Sequence, residues 1–142
     1  MFLSSMKQNF LKGFDGVNEL LKKFRTIIEM SDPELLKQLE ANDIQLFHFG
    51  FRWILCLLLR EFPVNLSIKL LDYYLTDDSN PGELCVYLSA TLFLKFSFKI
   101  KTLKREQIII YLQNLPTQNW GEQDIKMLVS EAFTLKNLYK LG

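Results

Sequence analysis

Three charged residues that lie within apolar stretches are the first places where this sequence could carry out chemistry. Arg52 is flanked by Phe51 and Trp53. Glu61 follows in the same stretch, and Asp72 stands between leucine and tyrosine residues. A buried guanidinium group without an acceptor is strongly unfavourable, so we expect Arg52 to be largely buried and paired, with Asp72 as the first candidate and Glu61 as the competing one. Because buried ion pairs can fix the register of packed helices, we interpret these residues as structural rather than catalytic.

Other residue types that often do chemistry are sparse. His48 has no second histidine, cysteine or aspartate at ligand spacing, which favours a core or boundary position over a metal site. Cys56 and Cys85 lie inside apolar helical patterns, which favours small core residues over a disulfide. The basic stretch 99–105 is more typical of a solvated turn than of an anion site. With no glycine-rich phosphate loop and no hydrolase motif, we predict no catalytic residue, no metal and no cofactor.

The composition indicates one folded unit. The chain has 142 residues, of which 49% are hydrophobic and 13% aromatic, so it can bury a substantial core. Its net charge of +1 argues against a nucleic-acid partner, which would require a basic stripe. Residues 44–62 are nearly all apolar, but Arg52 at mid-bilayer would cost about 2.5–3.5 kcal/mol, so we predict a buried helix and no transmembrane segment. The N-terminus has no apolar run typical of a signal peptide, so we expect none.

Apolar residues recur at helical spacing along most of the chain. Gly13 and Gly16 are expected to break the first region, and Asp32 followed by Pro33 predicts an N-cap and first helical position. No segment alternates as a strand does. Two helices, 44–62 and 83–98, are apolar all round and must be wrapped by others. We therefore predict an all-α, compact orthogonal or layered bundle with seven helices. Their ranges are 17–28, 33–41, 44–62, one that opens at Asn65 or Ser67 and ends at about 75, 83–98, 104–114 and 121–139.

Several sequence blocks resemble one family in their order and spacing. Residues 51–63 read FRWILCLLLREFP and resemble the FRW…REFP block of the TBC family of Rab GTPase-activating proteins. Asp72 follows two leucines where that family has Leu-Trp-Asp, so Leu71 replaces the tryptophan. Residues 108–116 resemble the family's ILxFLQxLP helix, and 117–121 and 128–133 extend the match to a Golgi-associated branch. The structural motif residues that the resemblance singles out are Phe51, Arg52, Trp53, Arg60, Glu61, Pro63, Asp72, Pro116 and Trp120.

The resemblance, which covers about residues 14–139, implies the C-terminal half of a GTPase-activating domain. Family members supply an arginine finger from an IxxDxxR block and a glutamine finger from a YxQGM block, both in the N-terminal half. Neither block occurs in these 142 residues. Gln113 follows Tyr-Leu but precedes Asn-Leu-Pro, so it matches the later helix, and Arg52 and Arg60 belong to a structural block. The resemblance therefore implies that this chain alone does not accelerate GTP hydrolysis.

The same resemblance implies partners and a location. The partners would be a Rab-family GTPase, reached through the full-length domain, and the N-terminal half of that domain. We expect an exposed apolar face, contributed by the helix 17–28 and by residues 1–14, a flexible or non-family extension, so that the chain either self-associates or covers this face with residues 1–14. The implied location is cytoplasmic, at the periphery of Golgi or endosomal membranes. A non-catalytic helical adaptor is the main alternative, and a helical domain with accidental similarity is the third.

Overall fold

The computed structural model confirms the all-α bundle. It describes residues 2–56, 58–76 and 81–140, and the side chains of 16–54, 56, 58–75 and 82–139. These residues form eight α-helices and no strand. The helices are α1 (Phe2–Ser31), α2 (Pro33–Ala41), α3 (Leu46–Leu55), α4 (Val64–Thr76), α5 (Pro81–Lys95), α6 (Ser97–Ile100), α7 (Arg105–Gln113) and α8 (Glu122–Lys140), with a 3-10 turn at Leu59–Glu61 between α3 and α4.

Helix α5 lies at the centre of the bundle. It is apolar all round, as its sequence predicts, and every side chain from Leu84 to Phe93 is buried. Helices α1 and α8 make the most extensive contacts with it, and α3 also packs against it. A helix without a polar face has to be enclosed in this way, because any exposed side would leave large apolar side chains in water.

Helix α1 differs from the sequence prediction in two respects. It continues through Gly13 and Gly16, where a break was expected. Glycine costs about 1 kcal/mol in a helix but keeps its amide hydrogen, so it weakens a helix without ending it. The apolar face of 17–28 was expected to be exposed, and this is also wrong: Leu21, Phe24 and Ile28 are buried against α3 and α5. The apolar residues of 1–14 lie outside the described side chains.

The start of α2 follows the predicted capping chemistry. The Leu35 amide donates to Asp32 Oδ1 at 3.2 Å, and Pro33 occupies the first turn. The Asp32 carboxylate also accepts from Ser97 Oγ at 2.5 Å and from Lys101 Nζ at 2.9 Å. Burial alone would raise the pKa of Asp32, but these bonds outweigh it and lower the pKa below its usual 3.8. Asp32 therefore ties the α1–α2 junction to α6.

The predicted single helix over 44–62 is wrong, because α3 ends at Leu55. Leu58 adopts a left-handed conformation with φ of 62°, and its amide donates to the Trp53 carbonyl oxygen at 2.8 Å. The chain thus reverses direction before the 3-10 turn and brings Glu61 back toward α3.

No helix among the described residues is both long and apolar enough to span a membrane.

Candidate functional site

The centre of the candidate site is the carboxylate of Glu61. Its Oε1 atom accepts one bond from Arg52 Nη2 at 2.9 Å and another from Trp53 Nε1 at 3.1 Å. The Glu61 side chain is 6% exposed, whereas that of Arg52 is 35% exposed. The carboxylate is therefore the more deeply buried member of the pair. Its charge depends more strongly on the pairing, because it has less access to water. This cluster of Arg52, Trp53 and Glu61 is called the Glu61 network below.

Two predictions about Arg52 need correction. Its partner is Glu61 rather than Asp72, and it is half-buried rather than largely buried. The early end of α3 explains the choice of partner, since the reversal at Leu58 returns Glu61 to Arg52. Asp72 is exposed on α4 and lines a cavity of about 320 Å³ together with Lys69 of α4 and residues of α8.

The network extends to the loop that follows α7. Arg52 Nη2 also donates to the Leu112 carbonyl oxygen at 3.4 Å, near the end of α7. The buried hydroxyl of Thr117 donates to the main-chain carbonyl oxygen of Glu61. Pro116, beside it, is exposed and lines a cavity of about 380 Å³ with Arg52 and Arg60. This role of Thr117 was not predicted from the sequence, and its position directly after Pro116 is the signal that could have indicated it.

Aromatic rings surround the network on both sides. On the first side Trp53, fully buried, has its ring centroid 5.2 Å from that of Phe49 and 6.2 Å from that of Phe93. On the other side Trp120 lies 5.6 Å from Phe62 and 6.3 Å from Phe96. Trp120 therefore packs beside the residue that follows Glu61. These rings exclude water from the carboxylate and strengthen its bonds to the two donors.

The remaining motif residues support the same turn from outside the network. Arg60 is exposed on the 3-10 turn and faces the 380 Å³ cavity. The carbonyl oxygen of Pro63 accepts from the Ser67 amide at 3.0 Å, in the first turn of α4. The Ser67 hydroxyl donates to the Leu59 carbonyl oxygen at 2.6 Å, which ties α4 to the 3-10 turn. Phe51 is half-buried, with its ring 5.6 Å from that of Phe47.

The chemistry available at this site is structural. The Glu61 carboxylate accepts from two strong donors, so its charge is compensated inside the protein. His48 is exposed on α3, so the predicted core or boundary position is wrong. Burial raises the pKa of the Cys85 thiol to about 11, which keeps it protonated and unreactive at neutral pH. No group of three potential metal-binding side chains occurs among the described residues.

Comparison with known proteins shows which domain family contains this site. The family model for the Rab-GTPase-TBC domain matches residues 1–108 of this chain. GTPase-activating protein gyp1 of Schizosaccharomyces pombe is 30% identical over 138 residues, which are 96% of this chain and 27% of that protein. TBC1 domain family member 22A of Homo sapiens is 27% identical over 94% of this chain and 26% of its own length. This chain thus spans about a quarter of the length of either relative.

A solved structure shows the same fold. The crystal structure of the Ypt/Rab-GAP domain of Gyp1p superposes with a TM-score of 0.87 and 33% sequence identity. The match covers 97% of this chain and 43% of the Gyp1p chain. Helices α1–α8 therefore correspond, nearly without remainder, to one part of a larger all-α domain.

Proposed function

The chain belongs to the Rab-GTPase-TBC domain family, and we propose that it forms the C-terminal half of a GTPase-activating domain for Rab-family GTPases. The observation that carries this proposal is the match to the Gyp1p Rab-GAP domain, which takes in almost all of this chain but less than half of that domain. In this proposal residues 1–142 form a single helical subdomain, and residues 1–14 belong to it because the family match begins at residue 1.

In this proposal the chain supplies support and shape rather than catalytic groups. A trans-acting arginine raises the rate of GTP hydrolysis by about 10³–10⁵ in small GTPases, because it offsets charge that develops on the transferred phosphoryl group. Arg52 does not fit that role, since its guanidinium group is bound to Glu61 and to the Leu112 carbonyl oxygen. The Glu61 network instead holds the end of α3 against the end of α7, and the bundle shapes part of the GTPase-binding surface.

A hydrolysis assay with two forms of the protein tests the proposal. The isolated chain should leave the single-turnover GTP hydrolysis of a panel of Rab GTPases at its intrinsic rate. A chimera in which this chain replaces the matching 43% of the Gyp1p domain should accelerate hydrolysis, because that domain supplies the remaining part. Acceleration by the isolated chain, or a folded chimera without activity, would contradict the proposal.

The adaptor alternative makes a different prediction for the same chimera. A non-catalytic interaction module would fold on the Gyp1p part and bind a partner without stimulating hydrolysis. The GTPase-activating proposal also assigns the protein to vesicle trafficking and to the cytoplasm, at the periphery of Golgi or endosomal membranes. Fluorescence microscopy of the tagged full-length protein with organelle markers tests that location.

A further inference from the structure

An arginine with no partner faces the cavity beside the Glu61 network. Arg60 is exposed on the 3-10 turn and, unlike Arg52, has no hydrogen bond or ion pair to any of the described residues. It lines the cavity of about 380 Å³ to which Arg52 also contributes. An arginine offers several N–H donors and stays charged at physiological pH. The cavity therefore has a cation available for a ligand.

The walls of this cavity add further hydrogen-bonding groups. Gln113 and Gln118 line it from either side of Pro116, and both are exposed. Neither side-chain amide has a bond partner in the part of the chain that the structure describes. Arg52 contributes a buried Nε atom that also lacks an acceptor among the described residues. Because an unpaired buried donor costs free energy, an acceptor that enters the cavity gains bonds that the protein does not make by itself.

The charges at the cavity favour a singly charged acceptor. Glu61 compensates Arg52, to which it is bonded at 2.9 Å, so Arg60 is the uncompensated charge among the described residues that line the cavity. A carboxylate supplies one negative charge and two oxygen atoms that match the fork of an arginine. A phosphate group carries about −1.5 to −2 charges at neutral pH and would leave excess negative charge beside the Glu61 carboxylate. The cavity therefore suits an aspartate or glutamate side chain better than a phosphate.

A second cavity, of about 240 Å³, lies next to the first one between α3 and α7. The two cavities are neighbours because both are lined by Arg52 and Gln113. Arg105 and Asp43 also line the second cavity, and their opposite charges add no net charge to it. The apolar part of its lining consists of Ile44, Phe49, Ile109 and Leu112. This second cavity can therefore accommodate an apolar side chain.

We propose that the two neighbouring cavities, called the Arg60 cleft below, bind an extended segment of another polypeptide through one acidic and one apolar side chain. In an extended segment, side chains two positions apart lie on the same face, about 6.6 Å from each other. The acidic side chain pairs with Arg60, and the apolar one packs against Phe49 and Ile109. Gln113, which lines both cavities, can donate to a main-chain carbonyl oxygen between them. This proposal does not rest on the proposed GTPase-activating function, because no step of it involves GTP hydrolysis.

The first test uses a fluorescently labelled peptide, Gly-Ser-Leu-Ser-Glu-Ser-Leu-Ser-Gly, and measures its anisotropy as the whole chain is added. A leucine stands two positions from the glutamate on each side, so the peptide fits the cleft in either chain direction. We expect a Kd below about 500 µM. Replacing the glutamate by glutamine, or both leucines by serine, should weaken binding by about tenfold. Inorganic phosphate at matched ionic strength should not displace the peptide.

Three results of this titration would overturn the proposal. The first is the absence of binding by the glutamate peptide, and the second is equal binding of the glutamine or serine peptide. The third is displacement by inorganic phosphate, which would make the cleft a general anion site. These comparisons change only the peptide, so they do not depend on whether a protein variant folds.

The second test compares matched protein variants, with circular dichroism to establish that each is folded. Arg60→Gln removes the charge in the cleft, whereas Lys99→Gln removes an exposed charge on α6, outside it. Ile109→Ala shortens an apolar side chain of the cleft, whereas Ile110→Ala shortens its neighbour, which is 61% exposed. The two cleft variants should bind the peptide about fivefold to tenfold more weakly, and the two controls should bind as the wild type does. Equal losses in cleft and control variants would mean that binding is non-specific and would refute the proposal.

The third test asks whether the cleft is still open in a complete domain. The same peptide is added to the chimera in which this chain replaces the matching part of the Gyp1p domain. We expect the Kd measured with the isolated chain. A folded chimera that no longer binds the peptide would show that the rest of the domain occupies the cleft, which would overturn the assignment to another polypeptide. Hydrolysis by the chimera is measured separately, so this outcome is distinguishable from a failure of the GTPase-activating proposal.

Discussion

The unequal burial of the two charges in the Glu61 network predicts unequal effects of removing them. Arg52→Met leaves the Glu61 carboxylate, 6% exposed, with only the indole N–H of Trp53. Stranding one member of a buried pair costs about 3–5 kcal/mol of unfolding free energy. Glu61→Gln leaves Arg52, whose side chain is 35% exposed and can be hydrated, while the amide oxygen still accepts from Trp53. We expect a cost of about 1–2 kcal/mol for that change, after discounting for solvent.

Urea denaturation of the whole chain, followed by tryptophan fluorescence and circular dichroism, measures this difference. With a slope of about 2 kcal/mol per M, the midpoint of Arg52→Met should lie about 1 M below that of Glu61→Gln. The double variant should be more stable than Arg52→Met alone, because Glu61→Gln then removes an uncompensated buried charge.

A matched control separates the effect of breaking the Arg52–Glu61 pair from the effect of substituting a charged motif residue elsewhere. Asp72→Asn removes the carboxylate that the sequence predicted as the Arg52 partner, and it lies on an exposed surface. Because Arg52 bonds to Glu61 and not to Asp72, the effects of Asp72→Asn and Arg52→Met on the unfolding free energy should be additive. Strictly additive effects of Arg52→Met and Glu61→Gln, or coupling between Asp72→Asn and Arg52→Met, would refute the assignment of Glu61 as the partner.

Three further predictions concern other parts of the bundle. Because the folded-state pKa of Asp32 is lowered, its contribution to stability is present above about pH 4 and is lost as the pH falls through that lowered value. The Asp32→Asn variant should therefore be less stable than the wild type at pH 7 and should lose less stability on acidification. Urea titrations at each pH measure this difference. A thiol reagent at pH 8 should modify the half-exposed Cys56 in the folded chain but reach Cys85 only on unfolding, since burial raises the pKa of Cys85 to about 11. Gly16→Ala should raise the unfolding free energy by about 0.5–1 kcal/mol, because the added methyl group meets no atom. Gly50→Val should lower it by about 1–3 kcal/mol, because a Cβ at that position already lies 3.2 Å from Leu21. Thermal unfolding of both variants tests this pair.

The sequence predicted the features that depend on local chemistry. The Asp32 cap and the start of α2 followed from a side chain that accepts backbone amides and a proline suited to the first turn. The complete burial of α5 followed from its lack of a polar face. Both arguments need only residues within one or two helical turns, and the structure agrees with both.

Features that depend on distant contacts were mispredicted or missed. No glycine or proline marks the end of α3, and a leucine in a left-handed conformation is disfavoured by its own side chain. The turn at Leu58 is stable because of what it brings together, including the bond from its amide to the Trp53 carbonyl oxygen. Asp72 was predicted ahead of Glu61 as the partner of Arg52, because no local signal predicts the reversal at Leu58. Thr117 carries no charge, and only its position directly after Pro116 pointed to it.

The Glu61 network has a role that apolar packing cannot supply. Contacts among α1, α5 and α8 are non-directional, and similar burial could be reached with the helices displaced along one another. Bonds to a single buried oxygen require the indole of Trp53 and the guanidinium of Arg52 to converge on one point. The carbonyl oxygen of the same residue accepts from Thr117, more than fifty positions along the chain. Glu61 therefore fixes where the end of α3 meets the loop after α7, and a chain lacking it would keep its helices but lose a unique arrangement at this corner.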